Sequence, residues 1–379
     1  MKLAGDWLKH AGTQGLCTTL EAAGYRALFV GGCVRNTLLG RAVDDIDIAT
    51  DAHPEIVTDL AETAGFKVVP TGIDHGTVTV VAEGRAHEVT TFRRDIQTDG
   101  RRAVVAFSDR IEDDAARRDF TMNALYADAR GDVADPLNGL PDLLAHRVRF
   151  VGVPTERIKE DYLRILRFFR FHAHFADPEA GFDAEGLAAC AEAVDGLDGL
   201  SKERIGVEMR KILSAPDPAP AVSTMAVSGV LARVLPGADP KSLGPFLHHA
   251  ETLRLKADPI ARLSALGGNN PSDDLRLSRA EARRLLQLRD AATSTQSAAE
   301  LGYRLGQEDG CAALALRAAL FEAPVTGSED VACGAKARFP VRAADLPHLQ
   351  GPAVGQALRA LEARWIASGF QLTKADLLA

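Results

Sequence analysis

Nothing in this 379-residue chain is apolar for long enough to span a bilayer, a task that takes about 20 consecutive residues. The first residues, Met1-Lys2-Leu3-Ala4-Gly5-Asp6, lack the basic-then-apolar order of a secretory leader. The five cysteines, Cys17, Cys33, Cys190, Cys311 and Cys333, show no CxxC spacing. Neither a zinc site nor a disulfide framework follows from them, and a reducing cytoplasm suits them best. A surplus of positive charge is also missing. Lys and Arg number 44 against 52 Asp and Glu, a net charge of −8, whereas nucleic-acid binders usually carry the opposite sign. There is no internal repeat and no low-complexity tail. What remains is an ordinary globular composition, 46% hydrophobic and 25% charged. The length exceeds what one core usually organises, so two or three packed units are expected.

The charge is unevenly spread. Arg147, Arg149, Arg157, Lys159, Arg164, Arg167 and Arg170 cluster within one short stretch, and a binding face needs local rather than global positive charge.

Hydrophobic spacing predicts a helix from residue 1 to about 25, with Trp7, Leu8, Leu16, Leu20 and Ala23 on its apolar side. Strands are expected at 27–30, 46–48, 77–81 and 87–92, the last two joined by a turn at Glu83-Gly84-Arg85. Residues 34–39, 54–64 and 115–126 read as helices, which makes 1–145 an α+β unit. Beyond Arg147 the helical period dominates, at 159–174, 184–194 and 201–213. The proline-rich 215–220 reads as a linker, and the remainder as all helical. Three domains are expected: 1–145, a helical 146–214, and a helical 215–379.

Several patterns carry chemistry. Gly31-Gly32-Cys33-Val34-Arg35-Asn36 follows a strand and opens a helix. Paired glycines there let backbone N–H groups approach a triphosphate, and a helix start favours an anion; a plain turn is the simpler alternative. In Asp44-Asp45-Ile46-Asp47-Ile48, strand alternation puts Asp45 and Asp47 on one face and the isoleucines in the core. Adjacent carboxylates repel, so a cation such as Mg²⁺, which takes oxygen ligands and completes its shell with phosphates and water, would explain them. Solvated acids on an edge strand are the alternative. Glu88, on a neighbouring strand, is placed to be either a third ligand or a base for a 3′-hydroxyl.

Arg117-Arg118-Asp119-Phe120-Thr121-Met122-Asn123 supplies planar guanidinium forks suited to phosphate. On a helix, Asp119 and Asn123 would share a face and could hold a ribose. In Glu160-Asp161-Tyr162-Leu163-Arg164-Ile165-Leu166-Arg167, helical spacing brings Asp161, Arg164 and Arg167 together. A carboxylate beside a guanidinium offers an acceptor and donors to the Watson–Crick edge of a base, although such pairs also arise as plain helix-surface ion pairs.

Taken together and in this order, the patterns over about 26–213 resemble the class II tRNA nucleotidyltransferases of the polymerase β superfamily, which include bacterial CCA-adding enzymes and poly(A) polymerases. The resemblance implies a polymerase β-type nucleotidyltransferase head, a mixed sheet with flanking helices, followed by helical neck, body and tail. It implies that CTP and ATP are added without a template to the 3′ end of tRNA, with two Mg²⁺ on Asp45 and Asp47 and with Glu88 assisting. Gly31, Gly32 and Arg118 would contact the triphosphate, Asp119 and Asn123 the ribose, and Arg35 would also belong to the nucleotide-binding set. Asp161 and Arg164 would select the base, flanked by Arg167, with Glu160 orienting Arg164. By the same resemblance, 135–143 is a head–neck hinge, 201–213 a supporting helix, and 93–116, with Thr98-Asp99-Gly100-Arg101, a flexible loop. Arg276, Arg279, Arg283, Arg284 and Arg289 are candidates for holding the tRNA backbone. Asn36 departs from the family's usual aspartate, which weakens any ion pair from that position. Rival readings are a poly(A) polymerase or A-adding enzyme of the same fold, a non-catalytic RNA-binding protein, and a transferase acting on small molecules.

Overall fold

The computed structural model describes residues 1–99, 102–177 and 179–379. The chain forms two compact units, Met1–Glu208 with Val227–Arg233, and Met209–Ala226 with Val234–Ala379. The first unit therefore holds both the expected head and most of the expected neck. Among the described residues no helix is long and apolar enough to cross a membrane.

The first unit is built on a mixed sheet. In chain order its opening elements are α1 (Ala11–Ala22), β1 (Leu28–Val30), α2 (Gly32–Leu38), β2 (Ile46–Thr50), α3 (Pro54–Thr63), β3 (Lys67–Gly72), β4 (Thr77–Ala82) and β5 (Arg85–Thr91). A hairpin of β6 (Arg93–Asp99) and β7 (Arg102–Phe107) follows, then α4 (Ile111–Ala116) and the short strands β8 (Tyr126–Ala127) and β9 (Val133–Ala134). The main sheet runs β3-β4-β5-β2-β1-β8-β9, with β2 parallel to β5 and its other neighbouring pairs antiparallel. β2 is central because Ile46, Ile48, Ala49 and Thr50 are all buried, as a strand covered on both faces requires. The β4–β5 turn is tight: Glu83 and Gly84 both take positive φ, 48° and 79°, the conformation of a two-residue hairpin loop.

Helices complete the unit: α5 (Leu140–Leu144), α6 (Pro154–Glu160), α7 (Leu163–Phe175), α8 (Ala184–Glu192) and α9 (Lys202–Leu213), whose last residues enter the second unit. Phe120, Phe150, Phe168, Phe169 and Phe171 form a ring cluster, with Phe120–Phe150 centroids 4.9 Å apart and Phe150–Phe168 5.2 Å. All five rings are at most 4% exposed. This cluster packs the segment after α4 against α7. The second unit is helical, including the 23-residue stretch Ala298–Leu320, which is kinked where Gly306 takes a φ of 80°.

Several sequence expectations are corrected. The N-terminal helix covers only Ala11–Ala22; before it, Trp7 donates from Nε1 to Thr37 Oγ1 at 2.9 Å, and Leu3 N–H to Gly131 at 2.7 Å. Residues 115–126 are not one helix. Phe120 is extended at φ −126° and ψ 148°, because Thr121 N–H donates to Arg149 and Val151 N–H to Asp119 across a short bridge. The expected helix 159–174 breaks at Asp161, whose φ of −155° and ψ of 107° separate α6 from α7. The stretch read as a loop, 93–116, holds the β6–β7 hairpin and α4; Gly100 and Arg101 lie outside the described residues. The proline-rich 215–220 is no free linker. Ala215 is fully buried, and the buried Arg262 guanidinium donates to the carbonyls of Leu213 at 2.7 Å and Ala215 at 2.5 Å.

Gly139, in the expected hinge, lies against the same 117–123 segment. A Cβ there would stand 2.2 Å from the Thr121 carbonyl oxygen. Gly139→Ala is thus expected to destabilise the first unit by about 1–3 kcal/mol through overpacking, read as an earlier thermal transition. An unchanged midpoint would mean that the segment yields freely.

Candidate active site

Strand pairing places the acids. β2 and β5 run parallel with Asp47 opposite Glu88, so two carboxylates sit on adjacent strands at one level, and Asp45 directly precedes β2. Asp45 and Glu88 are exposed and Asp47 half-buried. Among the described residues none of the three carboxylates has a hydrogen-bond or ion-pair partner. Burial, with the Glu88 charge next, pushes the Asp47 carboxyl up to about 6, against a pull from Arg118. No set of three or more His, Cys, Asp or Glu residues among those described is grouped tightly enough to cage a metal. The donor chemistry nevertheless fits a hard divalent cation, which is commonly held by one or two carboxylates plus substrate phosphates.

The glycine turn lies nearby. Gly31 takes a φ of 69°, a conformation costly for residues with a Cβ. A Cβ on it would meet Arg118 Nη1 at 3.3 Å. Arg118 is held from behind: Nη2 donates to Asp114 Oδ2 at 3.0 Å, and Nε to the Tyr126 hydroxyl at 3.1 Å. Asp114 is fully buried and also accepts from Arg117 at 2.6 Å and from the Tyr126 hydroxyl at 2.6 Å. Burial alone would raise its carboxyl, but Arg118, Arg117 and the phenol together hold it down to about 2.

A pocket of about 340 Å³ opens beside these groups, lined by Arg117, Arg118, Asp119, Asp161, Leu163, Arg164, Arg167 and Arg204. Five guanidiniums against two carboxylates make it net positive, as an anionic ligand requires. The Glu160 carboxylate pairs with Arg164 at 2.5 Å and with Arg157, and Arg164 also donates to the Arg157 carbonyl at 2.7 Å. Asp161 caps the start of α7 by accepting from Leu163 N–H at 3.1 Å, and its other oxygen accepts from Arg204 at 2.6 Å. Arg204 was not singled out in the sequence as a pocket residue. Its signal was faint: an arginine in the first turn of a distant helix, facing an aspartate that only the fold brings near.

Three residues expected to contact the nucleotide, Arg35, Asn123 and Asp119, are hydrogen-bonded within the protein, and Asp119 also lines the pocket. Arg35 is 9% exposed; it donates to Asn123 Oδ1 at 2.6 Å and to Asn36 Oδ1 at 2.8 Å, and its guanidinium lies 4.2 Å from the Phe175 ring centre. Every nitrogen of its fork thus has a protein partner, and burial pushes its pKa down to about 10. Asn123 is buried too, its amide nitrogen donating to Asp119 at 2.9 Å. Asp119 accepts from Asn123 and Phe120 N–H on one oxygen and from Arg167 at 2.7 Å on the other. These residues tie the glycine-turn helix α2 to α7. Asn36, which lacks the charge of an aspartate, still serves as a neutral acceptor for Arg35.

In the second unit, Arg284 is ion-paired with Asp258 at 2.7 Å and Asp309 at 2.8 Å, Arg276 with Asp273 at 2.8 Å, and Arg289 donates to the Gly267 carbonyl. Arg279 and Arg283 lie exposed on the helix Arg279–Thr293.

A carboxyl depressed on folding contributes stability above its unfolded pKa, and that contribution is lost as pH falls through the folded value. For Asp114 that window runs from its ordinary 3.8 down to about 2. Asp114→Asn is expected to flatten the acid loss of stability across this window, measured as urea midpoints against pH. Parallel curves for variant and parent would show that the carboxylate contributes nothing there.

Residues 27–149 match the poly A polymerase head domain family, and residues 182–242 match the family described as a probable RNA and SrmB-binding site of polymerase A. The chain is 41% identical over 217 residues to the human CCA tRNA nucleotidyltransferase 1, mitochondrial, a match covering 56% of this chain and 50% of that protein. It is 44% identical over 201 residues to a Streptococcus gordonii CCA-adding enzyme, covering 52% and 48%. The chain spans about half the length of the curated relatives it matches. Among solved structures, the Bacillus stearothermophilus CCA-adding enzyme in complex with CTP aligns over 94% of this chain and 92% of its own, with a TM-score of 0.75 and 30% identity. A Thermotoga maritima CCA-adding enzyme complexed with tRNA shares the fold at a TM-score of 0.70 and 19% identity, over 96% and 92% of the two chains. On the head-domain match, the shared sequence and the shared fold, the chain belongs to the nucleotidyltransferase family of CCA-adding enzymes and poly(A) polymerases.

Proposed function

We propose that the chain rebuilds the CCA end of tRNA, adding CTP and then ATP to the 3′ end without a template. The observation that carries this reading is the positive pocket in which Arg117 and Arg118 meet Asp161 and Arg164, beside the Asp47–Glu88 strand pair. A triphosphate and a base edge would thus have partners within one cavity. Support also comes from the relatives' names.

In this reading Asp45 and Asp47 hold Mg²⁺, which when bound activates the attacking hydroxyl and steadies the leaving pyrophosphate. Glu88 takes up the 3′-hydroxyl proton or shares in holding the cation. Gly31 and Gly32 admit the triphosphate chain and the Arg118 fork neutralises it. Asp161 accepts from the exocyclic amine that cytosine and adenine share, and Arg164, oriented by Glu160, donates to the adjacent ring nitrogen. Uracil and guanine present the opposite pattern and are rejected. Catalysis is then mostly positioning and charge neutralisation. The four buried cysteines, all free, fit a reducing cytoplasm. A poly(A) polymerase is the second reading, because the matched head-domain family carries that name.

Asp47→Ala is expected to abolish incorporation of every nucleotide while tRNA binding persists; residual turnover near the parent's would remove Asp47 from the metal site. Arg164→Ala should relax selection of CTP over UTP and of ATP over GTP, and equal loss for all four nucleotides would count against base selection. For the RNA backbone, the exposed Arg279 and Arg283 are the cations to test. Their double alanine variant should reduce the salt slope of tRNA binding by about 2, and an unchanged slope would place the RNA elsewhere.

A further inference from the structure

We propose that Asp114 is a positioning residue that, with Tyr126, aims Arg118 at the substrate's phosphates. The inference rests on the reading of Arg118 as a triphosphate contact. Asp114 lies within α4 on its buried side, and its two oxygens divide the work: Oδ1 accepts from Arg117 Nε and Nη2, at 2.9 and 2.6 Å, while Oδ2 accepts from Arg118 Nη2 and from the Tyr126 hydroxyl. The Tyr126 hydroxyl in turn accepts from Arg118 Nε, and the Arg118 guanidinium lies 5.3 Å from the Tyr126 ring centre. Two edges of the Arg118 fork are thereby fixed. Nη1 has no hydrogen-bond partner among the described residues and is the atom that faces the Gly31 turn. Tyr126 is itself fully buried in a core with Val30, Ala49 and Phe92, on β8 beside β1, so the anchor is referenced to the sheet that carries Asp47. A fixed, half-satisfied guanidinium offers its free edge without the rotamer entropy a loose arginine must lose.

Sign separates this role from simple electrostatics. Removing the Asp114 charge leaves the pocket more positive, which by itself would tighten binding of a polyanion. Loss of the pin would weaken it instead.

The test is CTP binding with Mg²⁺ by titration calorimetry, for Asp114→Asn and Tyr126→Phe, each also made in an Arg118→Ala background. In the parent background both variants are expected to weaken CTP on the order of tenfold, to leave tRNA binding unchanged, and to add no further loss once Arg118 is gone. Tyr126→Phe keeps the ring in its core, so it reports even where Asp114→Asn fails to fold. Unchanged or tighter CTP binding in the folded variants, or the same fold-loss with and without Arg118, overturns the proposal alone. An Arg118→Ala variant that binds CTP like the parent overturns the triphosphate reading of Arg118 and the proposal with it.

Discussion

The head is organised around a repulsion. β2 and β5 are parallel neighbours, and their register sets Asp47 opposite Glu88, with Asp45 just ahead of the strand. Burial keeps water from screening Asp47, and its carboxyl rises toward neutrality, to about 6. Such an arrangement destabilises a fold unless positive charge is brought to it. In this structure the nearby positive group is Arg118, fixed by Asp114 and Tyr126 and turned toward the glycine turn. The sheet's two acids, that arginine and the glycine turn are thereby gathered in one region of the head.

The pocket's far wall depends on a second knot. Asp119 is buried and takes hydrogen bonds from Asn123, Phe120 and Arg167. Asn123 passes the connection to Arg35, which lies against Phe171 and Phe175 of α7. A buried carboxylate is tolerable only when it is paired and hydrogen-bonded in this way. The consequence is geometric: the segment that carries Arg117 and Arg118 and the helix that carries Arg164 and Arg167 are locked together, so the two pairs of guanidiniums keep a fixed spacing across the pocket.

The sequence made the acidic strand, the glycine turn and the hairpin before β6 readable, because strand alternation and turn chemistry are local. It also made Glu160, Asp161 and Arg164 readable as a group, although their continuous helix was an illusion: Asp161 leaves helical geometry to cap α7 and to meet Arg204. What local pattern could not supply was partnership across the chain. Arg35 stands in a motif that opens a helix after two glycines, and nothing local shows that tertiary packing turns it inward onto Asn123 and Phe175. Asp114 stands at ordinary helical ion-pair spacing from Arg117 and Arg118, which hides its bond to Tyr126; Tyr126 and Arg204 carry no spacing signal, since each acquires its meaning from a residue on another element. The 115–126 segment misled for the same reason: its composition is helical, but hydrogen bonds with the chain around Arg149 and Val151 hold it extended.

The account stands or falls on what the pocket builds. The direct measurement is incorporation of labelled CTP and ATP, singly and together, by the full chain with Mg²⁺ on a tRNA that ends before its CCA. The account predicts cytidine addition with CTP alone, completion by one adenosine when both are supplied, and then a stop. Unlimited adenosine addition to any RNA, or no incorporation at all, would contradict it.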